Sequence, residues 1–129
     1  MFRGLATISF FADDVAAAAD WYTEVLGLEP HVDRPAYAEF RIGDQQQELA
    51  VIDRRFAPHG QAEGPGGAIA FWHVDNLEAA YERLLAMGAK EHEAPSHRSG
   101  GFVTASVVDP FGNILGVMYS PHYLETAIR

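Results

Sequence analysis

Two stretches of this chain share one pattern of apolar and polar positions. In each stretch a short apolar run leads into apolar residues at helical spacing, and a glycine, Gly27 or Gly88, ends the helical pattern. Runs of strand length follow each helix. Asp13 or Asp14 is the predicted N-cap of the first helix, and Asp75, the predicted N-cap of the second, forms a capping box with Glu78. The predicted helices begin at Val15 and Leu77, and the predicted strands cover residues 5–12, 28–33, 36–42, 48–53, 68–74, 89–94, 102–108 and 114–119.

The two patterns are separated by a long loop and closed by a tight turn. Residues 54–67 are rich in glycine and proline, which predicts a loop or linker. Asp109-Pro110-Phe111-Gly112-Asn113 lies between the last two strands and predicts a hairpin, because proline presets φ, glycine takes a positive φ and aspartate can bind the backbone ahead of it. We predict one domain over residues 1–129, with a first module over about 1–56, a linker over about 57–67 and a second module over about 68–129.

Composition narrows the classes of protein that this chain can be. Its 129 residues suffice to bury a core, and the absence of cysteine excludes a disulfide scaffold and a zinc–thiolate site. A net charge of −9, from 18 acidic and 9 basic residues, repels phosphate backbones, so nucleic-acid binding is not expected. No apolar run is long enough to span a membrane, and no signal peptide is predicted, because Asp13 and Asp14 follow the first apolar run at once. We therefore expect a cytoplasmic protein with a neutral or cationic small-molecule partner.

The repeated pattern resembles the vicinal oxygen chelate superfamily, which includes glyoxalase I, extradiol dioxygenases and bleomycin-resistance proteins. In the first half the likeness is carried by Asp13-Asp14-Val15 and Trp21-Tyr22-Thr23-Glu24-Val25-Leu26-Gly27-Leu28. In the second half it is carried by Ile69-Ala70-Phe71, Val74-Asp75, Gly88-Ala89 and Asp109-Pro110-Phe111-Gly112-Asn113. The resemblance implies an α+β fold of two tandem βαβββ modules, whose curled mixed sheets surround a cavity, and it implies a homodimer.

The resemblance also implies where a metal ion would bind, because family enzymes take ligands from the first and fourth strands of each module. The matching positions are Ala6, Glu48, Ala68 and Gly116. Of these, only Glu48 has a side chain that can coordinate a metal ion. No cofactor is therefore expected. The alternative is a divalent metal ion held by shifted ligands.

Strand alternation predicts which side chains would line the cavity. Glu48 would be a desolvated acid that anchors a ligand or acts as a general base, or else an exposed residue at the start of a strand. Trp72 would offer a stacking face, while His73, of opposite parity, would point away. His92, His97 and Arg98 would form a polar rim. The predicted ligand-binding residues are Glu48, Trp72, Ile8, Ala50, Ala70, Met118, His92, His97 and Arg98, and the candidate catalytic residue is Glu48.

Three functions are compatible with these residues. The favoured hypothesis is a small-molecule binding or resistance-type protein that sequesters an apolar, aromatic or cationic compound and has a degenerate metal site. The alternative is an enzyme, such as a glyoxalase-like lyase, an isomerase or a dioxygenase, that uses shifted metal ligands or Glu48 as its base. The third is an interaction module whose cavity is filled.

Overall fold

The computed structural model describes residues 1–61 and 63–127, and it shows the α+β fold that the repeat predicts. The chain divides into two compact units, the first from Met1 to Gln61 and the second from residue 62 to residue 129. In the first unit the elements are β1 (Thr7–Ala12), α1 (Val15–Leu26), β2 (Val32–Arg34), β3 (Tyr37–Ile42) and β4 (Gln47–Asp53), followed by a 3₁₀ turn at Arg54–Phe56. In the second unit they are β5 (Phe71–His73), α2 (Leu77–Ala86), β6 (Lys90–His97), a 3₁₀ turn at Ser99–Gly101, β7 (Val103–Val108), β8 (Ile114–Tyr119) and α3 (Pro121–Ala127).

The two sheets have the same topology. Their strand orders are β1-β4-β3-β2 and β5-β8-β7-β6, with one parallel pair in each sheet, β1 with β4 and β5 with β8. The remaining pairs are antiparallel. Parallel neighbours need a long crossover connection, and in each unit this crossover contains the helix that the 3.6-residue periodicity predicts.

Each helix covers one face of its own sheet. The ring of Tyr22 on α1 lies 6.3 Å from that of Phe10 on β1 and 6.4 Å from that of Phe40 on β3. In the second unit the Tyr81 hydroxyl on α2 donates a hydrogen bond to Glu91, which lies opposite Val107 on β7. Because successive side chains of a strand point to opposite sides, these contacts identify the covered face along each strand. In β6 the alternation is interrupted, since its register with β7 shifts between Glu91 and Glu93 and again between Glu93 and Ser96. We call the other side of each sheet its open face.

Several local features agree with the sequence-based expectation. Asp14 accepts a hydrogen bond from the Ala17 amide, and Gly27 ends α1 at a φ of 68°. The closing turn is held by the Asp109 carboxylate, which accepts hydrogen bonds from the amides of Phe111 at 2.9 Å and Asn113 at 2.8 Å. These features are predictable because they depend on neighbours along the chain.

Other features differ from the expectation. The N-cap of α2 is Asn76, which accepts from the Ala79 amide, so the predicted cap at Asp75 is wrong; Asp75 instead bonds His73 Nε2 at 3.0 Å. Strand β5 is shorter than predicted, and residues 121–127, which the pattern left unassigned, form α3. None of the helices in the described part of the chain has the length and apolarity needed to cross a bilayer.

Candidate functional site

The open face of the first sheet carries a cluster of charged side chains. Tyr37, Glu39 and Arg41 alternate along β3, and Glu48 on β4 lies directly opposite Arg41. The Tyr37 hydroxyl donates to Glu39 Oε1 at 2.7 Å. Arg41 Nε lies 3.9 Å from Glu39 Oε2 and 3.6 Å from Glu48 Oε2. We call these four residues the Glu39 cluster.

Burial makes Glu39 the central residue of this cluster. The side chain of Glu39 is 12% exposed, whereas that of Glu48 is 30% exposed and that of Arg41 is 44% exposed. A buried carboxylate is costly unless it is hydrogen-bonded or paired, and here both oxygens face a partner. The same hydrogen bond to Glu39, with burial and the negative charge nearby, raises the pKa of Tyr37 to about 12. The phenol therefore stays protonated at neutral pH and serves as a fixed donor.

The strand register places the residues predicted for this sheet on different faces. Glu48 and Ala50 both lie on the open face, opposite Thr7 and Ser9. Ile8 lies opposite Leu49, on the face that α1 covers, so the prediction that Ile8 shares a face with Glu48 is wrong. Side chains alternate within each strand as predicted, but β1 pairs with β4 so that Thr7 and Ser9, rather than Ile8, share a face with Glu48 and Ala50.

Sequence reasoning missed Glu39, Tyr37 and Arg41. A usable signal was present in the predicted strand 36–42, where Tyr37, Glu39 and Arg41 alternate with Ala38 and Phe40. Such alternation predicts one polar and one apolar face, and both apolar residues are fully buried. Predicting the ion pair between Arg41 and Glu48 would also require the register of β3 with β4, which cannot be read from the sequence.

The open face of the second sheet carries a row of four residues, one from each strand. Phe71 on β5 lies opposite Gly116 on β8, and Gly116 lies opposite Ser106 on β7. On β6, Glu93 lies opposite Ser106 at a shift of register, and the neighbouring His92 places its Nδ1 2.8 Å from Ser106 Oγ. We call this set the Phe71–His92 row. Its one large apolar side chain, Phe71, is 42% exposed.

Beside this row Arg98 reaches the same face. Its Nε donates to Thr104 Oγ1 at 3.1 Å, and Thr104 lies opposite Met118. The Arg98 guanidinium is also 3.9 Å from the Glu93 carboxylate, with both side chains more than half exposed. The open face therefore joins the aromatic ring of Phe71 to an imidazole and a guanidinium.

The remaining predicted residues of this half divide between the two faces. Met118 and His92 lie on the open face, which Arg98 also reaches. Trp72 lies opposite Val117 and therefore belongs to the covered face, so its predicted place on one face with Gly116 and Met118 is wrong. Ala70 precedes β5, where its carbonyl accepts a hydrogen bond from the Gly116 amide at 3.1 Å.

Two histidines are also on the other side from the one predicted. His97 lies opposite Val103, on the covered side, and so does not join a rim with His92. His73 lies opposite Met118 on the open face, where its ring stacks on Tyr123 of α3 at 4.8 Å. Its Nδ1 accepts from the Ser120 amide at 3.0 Å, so α3 occupies this end of the face.

The two units place a buried polar residue at the same position of their sheets. Ser9 and Phe71 are equivalent, since each stands at the same distance before the N-cap of the following helix. They lie opposite Ala50 and Gly116, which in turn lie opposite Glu39 and Ser106. Glu39 is 9% exposed and Ser106 is 1% exposed. The duplicated fold thus presents a carboxylate at the centre of one open face and a hydroxyl at the centre of the other.

These equivalences bear on the metal site that the resemblance implies. Gly116 matches Ala50 rather than Glu48, so the predicted correspondence of Glu48 with Gly116 is wrong. A Cβ atom at residue 116 would lie 2.7 Å from the Phe71 ring, so no ligating side chain fits there. Within residues 1–61 and 63–127, no group of three or more His, Cys, Asp or Glu side chains could hold a metal ion. The residues at these positions do not fit the metal of the family enzymes.

Comparison with solved structures finds the same fold in other proteins. A glyoxalase-related enzyme from Fulvimarina pelagi matches 93% of this chain and 90% of its own, with a TM-score of 0.74 and 21% identity. Lactoylglutathione lyase from Agrobacterium tumefaciens matches 95% and 98%, with a TM-score of 0.72 and 20% identity. TioX from Micromonospora sp. ML1 matches 90% and 98%, with a TM-score of 0.64 and 16% identity.

At these identities the solved structures show a shared fold only, so the chemistry of this chain has to be inferred from its own residues. The sequence match is independent of them and spans both units. The sequence model of the Glyoxalase/Bleomycin resistance protein/Dioxygenase superfamily matches residues 4–117, and the chain therefore belongs to that superfamily.

Proposed function

We propose that this protein binds a small molecule on the open face of its first sheet, where the Glu39 cluster recognises a cationic or hydrogen-bond-donating group. The observation that carries the proposal is the position of Glu39, a largely buried carboxylate in the middle of a sheet face that its own helix does not cover. A charge at such a place costs stability, which supports a role in recognition.

The charge balance of the cluster favours a cation. Two carboxylates, Glu39 and Glu48, share one guanidinium, at distances of 3.9 and 3.6 Å from Arg41 Nε. Both distances exceed a normal hydrogen bond, and each carboxylate can accept several donors. An ammonium, amidinium or guanidinium group of a ligand would therefore find unused acceptors, while an anion would be repelled.

Binding without chemical conversion is the function that these residues support. The cluster has a fixed donor in Tyr37 and acceptors in Glu39 and Glu48, which are the groups that orient a ligand. The family's metal positions lack a set of donors, so no reaction step is derived from them. A resistance-type protein that sequesters its ligand needs only this recognition. The homodimer that the resemblance implies is part of the same proposal.

A pair of nearly isosteric probes tests the proposal. Benzamidinium and benzamide differ mainly in charge, and two-dimensional NMR titration detects weak binding and locates it by residue. We expect benzamidinium to shift the amide signals of β3 and β4 and to bind at least about tenfold more weakly to Glu39→Gln, because a charge-assisted hydrogen bond is lost. Benzamide should respond little to the substitution.

The matched control is Glu29→Gln, which removes an exposed carboxylate outside the cluster. It should leave the affinity for benzamidinium unchanged. Equal weakening by Glu29→Gln and Glu39→Gln would show that only the net charge of the protein matters. Shifts confined to residues outside β3 and β4 would also refute the proposal.

A further inference from the structure

We propose that the open face of the second sheet binds a planar aromatic ring that carries an anionic group. This inference rests on the proposed small-molecule-binding function but uses none of the residues of the Glu39 cluster. Its parts are the aromatic ring of Phe71, which lies over Gly116, and the polar side chains of His92 and Arg98, of which His92 is held by the buried Ser106.

Phe71 provides the surface for stacking. It is 42% exposed, although it stands in a strand rather than a loop. A Cβ atom at residue 116 would lie 2.7 Å from Phe71 Cδ1 and 2.9 Å from Ile69 Cγ2, so the missing side chain of Gly116 makes room for the aromatic ring beside β8. A planar ligand can therefore lie against an exposed aromatic face, the contact that aromatic rings prefer in offset stacking.

The other end of the row is polar and offers donors. His92 Nδ1 is bonded to Ser106 Oγ, and no described residue is hydrogen-bonded to His92 Nε2. Arg98 is held against the same face by its hydrogen bond to Thr104, and its opposing charge, Glu93, is 3.9 Å away and 63% exposed. An exposed ion pair at that distance is weak, so a ligand carboxylate can replace Glu93.

The spacing of the row sets the size of the ligand. Phe71 and His92 stand on the first and last strands of a four-stranded sheet, so their backbones are about 14 Å apart at about 4.8 Å per strand. After both side chains reach over the face, the gap suits a ring system of two fused rings with one polar substituent. The ligand group expected on this face is an anion, whereas the one expected at the Glu39 cluster is a cation.

The test uses 2-naphthoate and its cationic counterpart 2-naphthylmethylammonium in NMR titrations of the full chain. We expect 2-naphthoate to shift signals of β5, β7 and β8 and to bind about fivefold more weakly to Phe71→Ala, the typical effect of losing an aromatic stacking contact. His92→Gln and Arg98→Gln should each weaken 2-naphthoate but leave the cationic probe unaffected. The control Phe56→Ala removes another exposed phenylalanine and should change nothing.

The outcomes separate this inference from the proposed function. If benzamidinium binds at β3 and β4 while 2-naphthoate shifts no signal of the second sheet, the inference is refuted and the proposed function stands. If 2-naphthoate binds equally well to Phe71→Ala and to the wild type, the inference is also refuted. If Phe71→Leu, which keeps the volume but not the ring, restores full affinity, stacking is not the contact and the aromatic class is wrong.

Discussion

Glu39 shows how one residue acquires its properties from its neighbours across a sheet. Its carboxylate is flanked by Tyr37 and Arg41 on its own strand, and Glu48 approaches the same guanidinium from the next strand. In the sequence, Glu48 had the sharper signal because the resemblance singled it out. In the structure Glu39 is the more buried of the two carboxylates, and it alone of the two accepts the hydrogen bond from the Tyr37 hydroxyl.

The ionisation of Tyr37 gives a direct measure of this arrangement. Its hydrogen bond to Glu39 is the main cause of a pKa raised to about 12, ahead of burial and the charges of Glu39 and Glu48. In Glu39→Gln we expect Tyr37 to titrate nearer the ordinary tyrosine value of about 10. Tyrosinate absorbance across an alkaline titration, compared between the two proteins, measures the shift. Superimposable curves would contradict the assigned hydrogen bond.

The raised pKa of Tyr37 also determines how the stability of the fold depends on pH. Because the folded-state pKa of Tyr37 lies above the unfolded value, this residue stabilises the fold fully below about pH 10 and loses that contribution as the pH rises toward about 12. Denaturant unfolding of Tyr37→Phe should therefore show a shallower loss of stability over that range. Parallel curves for Tyr37→Phe and the wild type would show that the phenol is not coupled to folding.

At the scale of elements, the two helices were largely predictable, because their signals are local. Apolar spacing and a terminal glycine located α1 from Val15 to Leu26, as observed. The start of α2 was predicted with the wrong cap, since Asp75 and Asn76 are both good N-cap residues. Only the structure shows that Asn76 accepts the capping hydrogen bond and that the Asp75 carboxylate is hydrogen-bonded to His73.

The two candidate caps can be separated by substitution. Asn76→Ala should lower the free energy of unfolding by about 1 kcal/mol, and so should Asp14→Ala in α1, because each leaves a helix amide without its acceptor. Asp75→Ala should cost less than about 0.5 kcal/mol, because that carboxylate is exposed. Urea denaturation provides the measurement. A larger loss of stability for Asp75→Ala than for Asn76→Ala would show that Asp75 is the cap, as the capping box predicts.

The turn between β7 and β8 depends on one side chain. Asp109 is 3% exposed, and its Oδ1 accepts from the amides of Phe111 and Asn113. Asp109→Ala removes the carboxylate that accepts both hydrogen bonds, and we expect a loss of about 2–3 kcal/mol of stability. Thermal unfolding followed by circular dichroism tests this, with Gln45→Ala, at an exposed residue in the turn between β3 and β4, as a comparison. A loss no larger than that of Gln45→Ala would show that proline and glycine alone hold the turn.

At the scale of the whole molecule, duplication places a comparable site on each unit but fills the two sites differently. Glu39 and Ser106 occupy equivalent positions, and the first face is acidic while the second carries an aromatic ring beside an imidazole and a guanidinium. Family membership is common to proteins with unrelated activities, so the specificity of the binding that we propose would depend on the differences between these two faces.

The metal content of the purified protein is a prediction at this scale. We expect no stoichiometric transition metal after dialysis, because three of the four ligand positions that the resemblance implies, Ala6, Ala68 and Gly116, have no donor side chain. Elemental analysis by plasma mass spectrometry checks it. One zinc, nickel, iron or manganese ion per chain, lost in Glu48→Ala, would contradict the prediction.

Self-association is the second prediction for the whole molecule. The resemblance implies a homodimer, and the described residues include exposed apolar side chains at Met1, Phe2 and Leu5 that such contacts could cover. Light scattering at micromolar concentration should give twice the chain mass of 14.1 kDa. A mass equal to one chain would contradict this.

Local chemistry along the chain was enough to identify the duplication, both helices and the closing turn at Asp109. These features depend on hydrogen bonds and side-chain spacing within a few residues, which a linear pattern displays. The same pattern led to the family and its fold.

The faces of the strands were decided by tertiary structure. A shift of one residue in the register of two strands moves every side chain of a strand to the opposite face. The residues predicted to line the cavity were Ile8 and Trp72, whereas the structure places Thr7 and Phe71 on the open faces. Correct pairing also brought Glu48 to Arg41 and His92 to Ser106. The registers of strands far apart in sequence are set by packing on the helices, and they determine which residues can meet a ligand.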